Sequence, residues 1–474
     1  MIAMLPETSA ELILLVEDKD GHHSERPRLH LNGRNWTLRL FPNIGNVSDE
    51  LVDYICVSYI WGPDRTSSPL KMGPQNISTN TLPALSAAMQ NTSDKAFWID
   101  AFSVPTVQPA KAATLESMGF IYSQAKEVRA VLSESSFLAV KQLSTGDSLD
   151  CEALITVEAD KWIQSVWTYQ EVVNSQRLAF LCSAAPRSIV DGSHFLNGIG
   201  YSISRYKKKY DIDSFTFRAS FPSLDALEDL IADWMIAGYQ ERSALAVMSN
   251  MDRRKWNEER NYYYSMIGAI TSKPSGRLDG GQQHLAETLM GICESKGDFS
   301  FVYSSSPRST EPTKRWRPQI GLLPSILPWH SWGESQPGHF DESGFLWLDQ
   351  MLVYQKSPPS EEAKDYIARW LHRKDSGDVS EDWIGENTYP ALKGMGFTGN
   401  ETFTALTHGI FFAQTSLPTD NTEDLDVFVS ATIRWTFGAP GIASYTSQDG
   451  VTHFIPGVFA GVIDVKLATS VKLI

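Results

Sequence analysis

From about residue 54 the chain is written in short apolar runs, 54–60 (YICVSYI), 96–101 (AFWIDA), 128–133 (VRAVLS) and 177–182 (RLAFLC), separated by stretches of helical period. Continuous apolar runs suit strands covered on both faces, so the pattern predicts a parallel sheet flanked by crossover helices, an α/β fold. Residues 11–17, 28–32 and 35–41 instead alternate apolar and polar positions around Leu31-Asn32-Gly33, which predicts a small antiparallel hairpin beside that sheet. One helix is predicted over residues 114–128, where Leu115, Met118, Ile121, Tyr122 and Ala125 share a face. Another is predicted over 159–173, with Ile163, Val166, Trp167 and Val173 on its apolar face and Asp160 as its N-terminal signal. Beyond residue 190 helical period is legible at 222–250 and 283–296, and strand pattern at 299–304, 344–354, 403–414, 425–437 and 451–468. The expectation is a mixed α+β C-terminal half. Gly and Pro cluster at 305–340, which suggests an α/β domain over 1–190, a helix-rich region over 191–335 and a strand-rich region over 336–474.

The length, 474 residues, is enough for two or three domains. With 42% hydrophobic and 20% charged residues, a disordered or fibrous chain is excluded. Lys and Arg number 41 against 56 Asp and Glu, a net charge of −15, which disfavours nonspecific binding to nucleic acid or to an anionic membrane. Cys56, Cys151, Cys182 and Cys293 lie far apart with no C-x-x-C pair, so they read as reduced, structural thiols. The first twenty residues lack a basic leader, and Glu11 and Glu17 interrupt their apolar run, so a cytoplasmic protein is expected. No G-K-[ST], H-E-x-x-H or G-x-S-x-G is present, which removes the P-loop, zincin and α/β-hydrolase chemistries. Residues 394–399 spell a dinucleotide-binding pattern, but no buried strand precedes them and they read as a loop. No histidine pairs with Cys or a carboxylate at ligand spacing, so no metal site is expected.

Candidate chemistry concentrates at the strand ends of the first α/β unit. The first run closes as Ser58-Tyr59-Ile60-Trp61-Gly62-Pro63-Asp64-Arg65, placing aromatics, a glycine and an expected ion pair where open α/β sheets bind ligands. Trp61 could stack on a planar ring or be a core tryptophan, and Gly62 would let backbone approach a ligand. Asp100 ends the second run, as a structural acceptor for loop amides or as a functional carboxylate. Trp167 and Glu171 stand four apart on one helix face. A carboxylate partly desolvated by an indole can stabilise a developing cation: at 4 Å and an effective dielectric near 20 the Coulomb energy is roughly 4 kcal/mol. That is about three decades in rate. The competing reading is a solvated surface glutamate.

The ordered series 57–62 (VSYIWG), 97–101 (FWIDA), 115–122 (LESMGFIY) and 166–171 (VWTYQE) resembles the fungal heterokaryon incompatibility (HET) domain over roughly residues 50–185. The chain departs from the commoner family pattern at Phe102-Ser103-Val104-Pro105, where a Cys-Ile-Asn-Gln run is usual. HET domains are in turn similar to TIR domains, which have a flavodoxin-like parallel sheet, and some of these cleave NAD at the nicotinamide glycosidic bond with a glutamate that follows a tryptophan. Glu171 after Trp167 matches that position. The resemblance implies a TIR-like site with Glu171 catalytic, NAD as substrate, and Ser58, Tyr59, Trp61, Gly62, Asp64, Arg65, Asp100, Phe102 and Trp167 around the substrate. It also implies self-association through residues 102–111 and a role in non-self recognition and cell death. The alternative is a catalytically silent HET-type signalling or scaffold module that acts by self-association.

Overall fold

The computed structural model describes residues 10–18, 28–41, 53–70, 74–90, 92–235, 242–271, 285–333, 335–372, 381–417 and 425–473. Of the N-terminal run read above, residues 1–9 and 19–20 lie outside them, as do 236–241 of the helical stretch expected at 222–250. The chain divides into two compact units. The first comprises 1–217, 221–239 and 254–283, the second 218–220, 240–253 and 284–474.

The first unit is built on one eight-stranded sheet: β1 (Leu12–Glu17), β2 (Leu29–Leu31), β3 (Arg34–Phe41), β4 (Ile55–Tyr59), β5 (Ala96–Trp98), β6 (Glu127–Leu132), β7 (Leu178–Cys182) and β8 (Ala185–Asp191). Their order is β8-β7-β6-β4-β5-β1-β3-β2. The four apolar runs become β5, β4, β6 and β7, which are mutually parallel, and every residue of β4 and β7 is buried. The parallel sheet expected from the sequence is therefore only the centre of a mixed sheet. β1 and β3 join it antiparallel at one edge, through β1 on β5, and β8 pairs antiparallel with β7 at the other. The N-terminal hairpin thus continues the sheet instead of packing beside it, because Trp36 on β3 finds an edge-to-face partner in Phe97 on β5, ring centres 5.4 Å apart. Asn32 and Gly33 turn this hairpin with φ of 52° and 73°, the left-handed pair that a two-residue turn demands.

The helices that bear on the site are α1 (Thr81–Met89), α2 (Asp100–Ser103), α3 (Ala110–Glu116), α4 (Met118–Gln124), α5 (Lys161–Gln164), α6 (Val166–Val173), α7 (Gly192–Tyr210), α8 (Pro222–Met235) and α9 (Glu259–Ile270). Both helices expected from periodicity are broken. The first divides at Ser117 and stops at Gln124, since Glu127 already belongs to β6. The second divides at Ser165. Asp160 caps α5 through the Trp162 amide, and Ser165 caps α6 through the Trp167 amide. The break is held by a remote segment: Lys255 donates its amide to Gln164 O at 2.6 Å and accepts from the Val166 amide at 3.2 Å.

In the second unit an antiparallel sheet combines β9 (Gly338–Phe340), β10 (Leu346–Gln355), β11 (Phe403–Leu406), β12 (Gly409–Ala413), β13 (Asp426–Ser430), β14 (Gly438–Thr446) and β15 (Thr452–Gly461), ordered β9-β10-β13-β14-β15-β12-β11. β16 (Thr469–Leu473) pairs with β10. The strands expected at 344–354, 403–414, 425–437 and 451–468 fall within this sheet, whereas 299–304 is a 3-10 turn at Ser300–Tyr303. Residues 394–399 close a helix at Glu381–Gly394, and no crossover unit surrounds them. Cys56, Cys182 and Cys293 are buried, Cys151 half-buried, and all four are free thiols.

Candidate functional site

The carboxyl ends of β4 and β5, the loop after α2, and the N-terminal part of α6 line one cavity of about 880 Å³ within the first unit. It gathers Tyr59, Trp61, Gly62, Arg65, Asp100, Trp167 and Glu171, seven of the ten residues singled out in the sequence, from three separate stretches of chain. The other three stand elsewhere. Ser58 is buried directly behind Glu171; Phe102 is 1% exposed and packs into the core; Asp64 is exposed and off the cavity wall.

Glu171 is only 6% exposed, so it is neither the solvated helix-face glutamate of the competing reading nor a simple surface charge. Its Oε2 accepts a hydrogen bond from Ser58 Oγ, and Tyr122 on α4 is a close polar neighbour of the carboxyl. Burial nonetheless dominates and, with the nearby Asp100 charge, raises its pKa to about 8. Ser58 Oγ in turn accepts from Trp162 Nε1 at 2.7 Å. Trp167 is half-buried and stacks on Tyr264 of α9, ring centres 6.3 Å apart.

A second carboxyl stands nearby. Asp100 accepts from Trp61 Nε1 at 2.7 Å, from the Ala101 amide at 2.6 Å, and from the Tyr59 hydroxyl, which also shares a 2.8 Å hydrogen bond with Thr81 Oγ1. Asp100 therefore orders loop groups, and it also lines the cavity. Burial outweighs these donors and raises its pKa to about 6. Gly62 turns the strand end with φ of 67°, and a Cβ there would lie 3.0 Å from Asn80 Nδ2. The expected Asp64–Arg65 ion pair does not form. Arg65 donates instead to the carbonyls of Gly62 and Asp64 and lies over the Trp61 ring at 5.3 Å, so the turn's own backbone takes the charge.

Sequence reasoning missed one wall of the cavity. Lys255, Trp256, Asn257 and Asn261 line it from the segment that clasps the α5–α6 break, and Lys111 and Lys161 line it from α3 and α5. Four cationic side chains, Arg65, Lys111, Lys161 and Lys255, thus border a cavity whose lining carboxyls are Asp100 and Glu171. Tyr122 reads in the sequence only as an apolar helix position, and Trp162 is not singled out there. The available signal was their polar handles, because an indole N–H or phenol in a buried stretch needs a partner. Among the described residues, no group of three His, Cys, Asp or Glu side chains could hold a metal ion, and no helix is long and apolar enough to cross a membrane.

The mixed α/β sheet thus places two carboxyls in a cavity at the ends of its parallel strands, where open α/β sheets carry their ligand sites. Residues 54–171 match the family model described as heterokaryon incompatibility protein (HET), and the chain carries a HET domain over that stretch. The match opens one residue before β4 and closes on Glu171 itself. No curated protein and no solved structure matches the chain.

Proposed function

We propose that this HET-domain protein acts in heterokaryon incompatibility, the fungal response to non-self that ends in cell death, by cleaving NAD to nicotinamide and ADP-ribose at a TIR-like site. The observation that carries the reading is Glu171, buried in the cavity wall at the position the TIR resemblance assigns to the catalytic glutamate. When the C1′–N bond of NAD breaks, its electron pair leaves with neutral nicotinamide and the ribose becomes oxocarbenium-like. The ionised Glu171 carboxylate stabilises that cation until water adds at C1′ and releases a proton. Trp61 supplies an indole face for a planar ring, and Arg65, Lys111, Lys161 and Lys255 supply positive charge for the pyrophosphate. The test is nicotinamide release from NAD by the full-length protein beside Glu171→Gln, at concentrations high enough to favour assembly. Release that the substitution abolishes is expected; no release, or equal release from both, overturns the reading.

A second reading is a silent module that works by self-association. Val107, at the tip of the loop between α2 and α3, is 71% exposed, and neighbouring Val104, Pro105 and Thr106 line the cavity. Assembly through 102–111 without nicotinamide release would favour it.

A further inference from the structure

Ser58 and Trp162 share one hydrogen-bond chain with Glu171 whose direction is dictated by chemistry. An indole N–H can only donate, so at 2.7 Å Trp162 Nε1 gives its hydrogen to Ser58 Oγ. Ser58 has a single hydroxyl hydrogen, and Glu171 Oε2 is the acceptor that remains in reach. The order of donation is therefore Trp162 to Ser58 to Glu171, across β4, α5 and α6. All three side chains are buried. We infer that Ser58, oriented by Trp162, is the positioning residue for Glu171: it fixes the carboxyl's rotation by holding Oε2 and biases the carboxyl toward its ionised, cation-stabilising form. The inference rests on the reading that Glu171 acts on the substrate.

The physical reason is an imbalance around the carboxyl. Its neighbours are Cys56 and Tyr59 on β4, Tyr122 on α4 and Asp100 on α2, which either carry no positive charge or add a negative one. On the other faces of α6, Tyr169 donates to Asp233 of α8, Arg254 lies over the Tyr169 ring at 5.7 Å, and Tyr264 stacks on Trp167. Hydrogen-bond donors thus oppose burial and the Asp100 charge at Glu171, and Ser58 is the foremost of them. A hydroxyl that already accepts from an indole is polarised into a stronger donor, so Trp162 acts at a distance through Ser58.

The experiment uses the full-length protein as wild type, Ser58→Ala, Trp162→Phe, the double variant and Ser58→Thr. The Glu171 carboxyl band is identified in infrared difference spectra against Glu171→Gln and titrated without substrate; nicotinamide release is followed over the same pH range. Ser58→Ala is expected to move the carboxyl midpoint to higher pH by about one unit, a tenfold change in its proton equilibrium. Trp162→Phe should move it the same way by less, and the double variant should match Ser58→Ala, because the indole N–H that Phe lacks is bonded to Ser58. Ser58→Thr keeps the hydroxyl and restores the midpoint. An unmoved midpoint in Ser58→Ala, or a Trp162→Phe shift that adds in full to it, overturns the inference. A midpoint that moves as expected in a protein that releases no nicotinamide leaves the hydrogen-bond chain standing and removes the proposed reaction instead.

Discussion

Gly119 on α4 and Gly268 on α9 meet backbone to backbone: a Cβ on Gly119 would lie 1.8 Å from the Gly268 carbonyl oxygen. On the other side, a Cβ on Gly268 would lie 1.7 Å from Gln170 Oε1, one residue before Glu171. Asn174 Nδ2 closes the contact by donating to the Gly268 carbonyl at 2.7 Å. The glycine in the LESMGFIY stretch is thus a packing requirement that brings α4 against α9, and Gly268 in turn lets α9 pack against α6 behind the site.

Alanine at Gly119 forces α4 and α9 apart, and alanine at Gly268 displaces the buried Gln170 side chain. Gly119→Ala and Gly268→Ala should each cost about 1–3 kcal/mol or more, read as a lower urea midpoint. Gly268→Ala should also lower nicotinamide release beyond what its stability loss explains, because the displaced side chain neighbours Glu171. A Gly268→Ala protein with wild-type unfolding would contradict this packing.

Glu171→Gln tests the carboxyl twice. Loss of the roughly 4 kcal/mol of cation stabilisation corresponds to about three decades in the rate of nicotinamide release. The same substitution should stabilise the fold. The folded pKa of Glu171 is raised to about 8, so above its ordinary range folding must return a proton to an otherwise ionised group. That cost is absent at pH 4, grows as pH rises, and is complete above about 8. The melting temperature of Glu171→Gln should therefore match wild type near pH 4 and exceed it by a growing margin toward pH 8. A margin that shrinks with pH would reverse the assignment.

Activity should follow the same ionisation from the other side. If the carboxylate is the working form, kcat/KM for NAD rises with pH to a midpoint near 8, where Glu171 loses its proton in the free protein. A profile already flat by pH 6 would mean that a different group limits the reaction.

The cavity's cations should act on binding alone. Lys161 is exposed at the start of α5, and Lys161→Ala should raise KM for NAD roughly two- to fivefold, the scale of one exposed charge contact. The effect should fade with added salt. An equal loss in kcat with unchanged KM would place Lys161 in the chemistry instead.

Self-association through the exposed loop makes its own demand. Val107→Asp should lower assembly seen by light scattering or sedimentation without moving the unfolding midpoint, since its side chain is largely in solvent. Unchanged assembly would exclude the loop tip from the contact.

Much of the first unit was legible because it is encoded locally. The runs that became β4, β5, β6 and β7 are short, apolar and bounded, and they carry Tyr59, Trp61 and Asp100 to the same end of the sheet. Trp167 and Glu171 were legible through a four-residue spacing. The edges of the sheet were not, because β1 pairs with β5 through Leu15 and Phe97, and Trp36 on β3 meets that same Phe97 from 61 positions away. The break at Ser165 was hidden for a similar reason: a tertiary partner, Lys255, overrides an unbroken helical period. Phe102, grouped with the site by its place after Asp100, turned inward because α2 lasts only four residues and its ring meets the core.

The clasp of Lys255 on the α5–α6 break also sets an order of events. A chain emerging from the ribosome presents Ser58, Asp100 and Glu171 long before residues 255–261, which supply a wall of their cavity, and before α9 can close on Gly119. Through that interval the carboxyls lack one wall of their cavity. The site is therefore complete only when the last segments of the first unit have joined the fold, although its carboxyls are made much earlier.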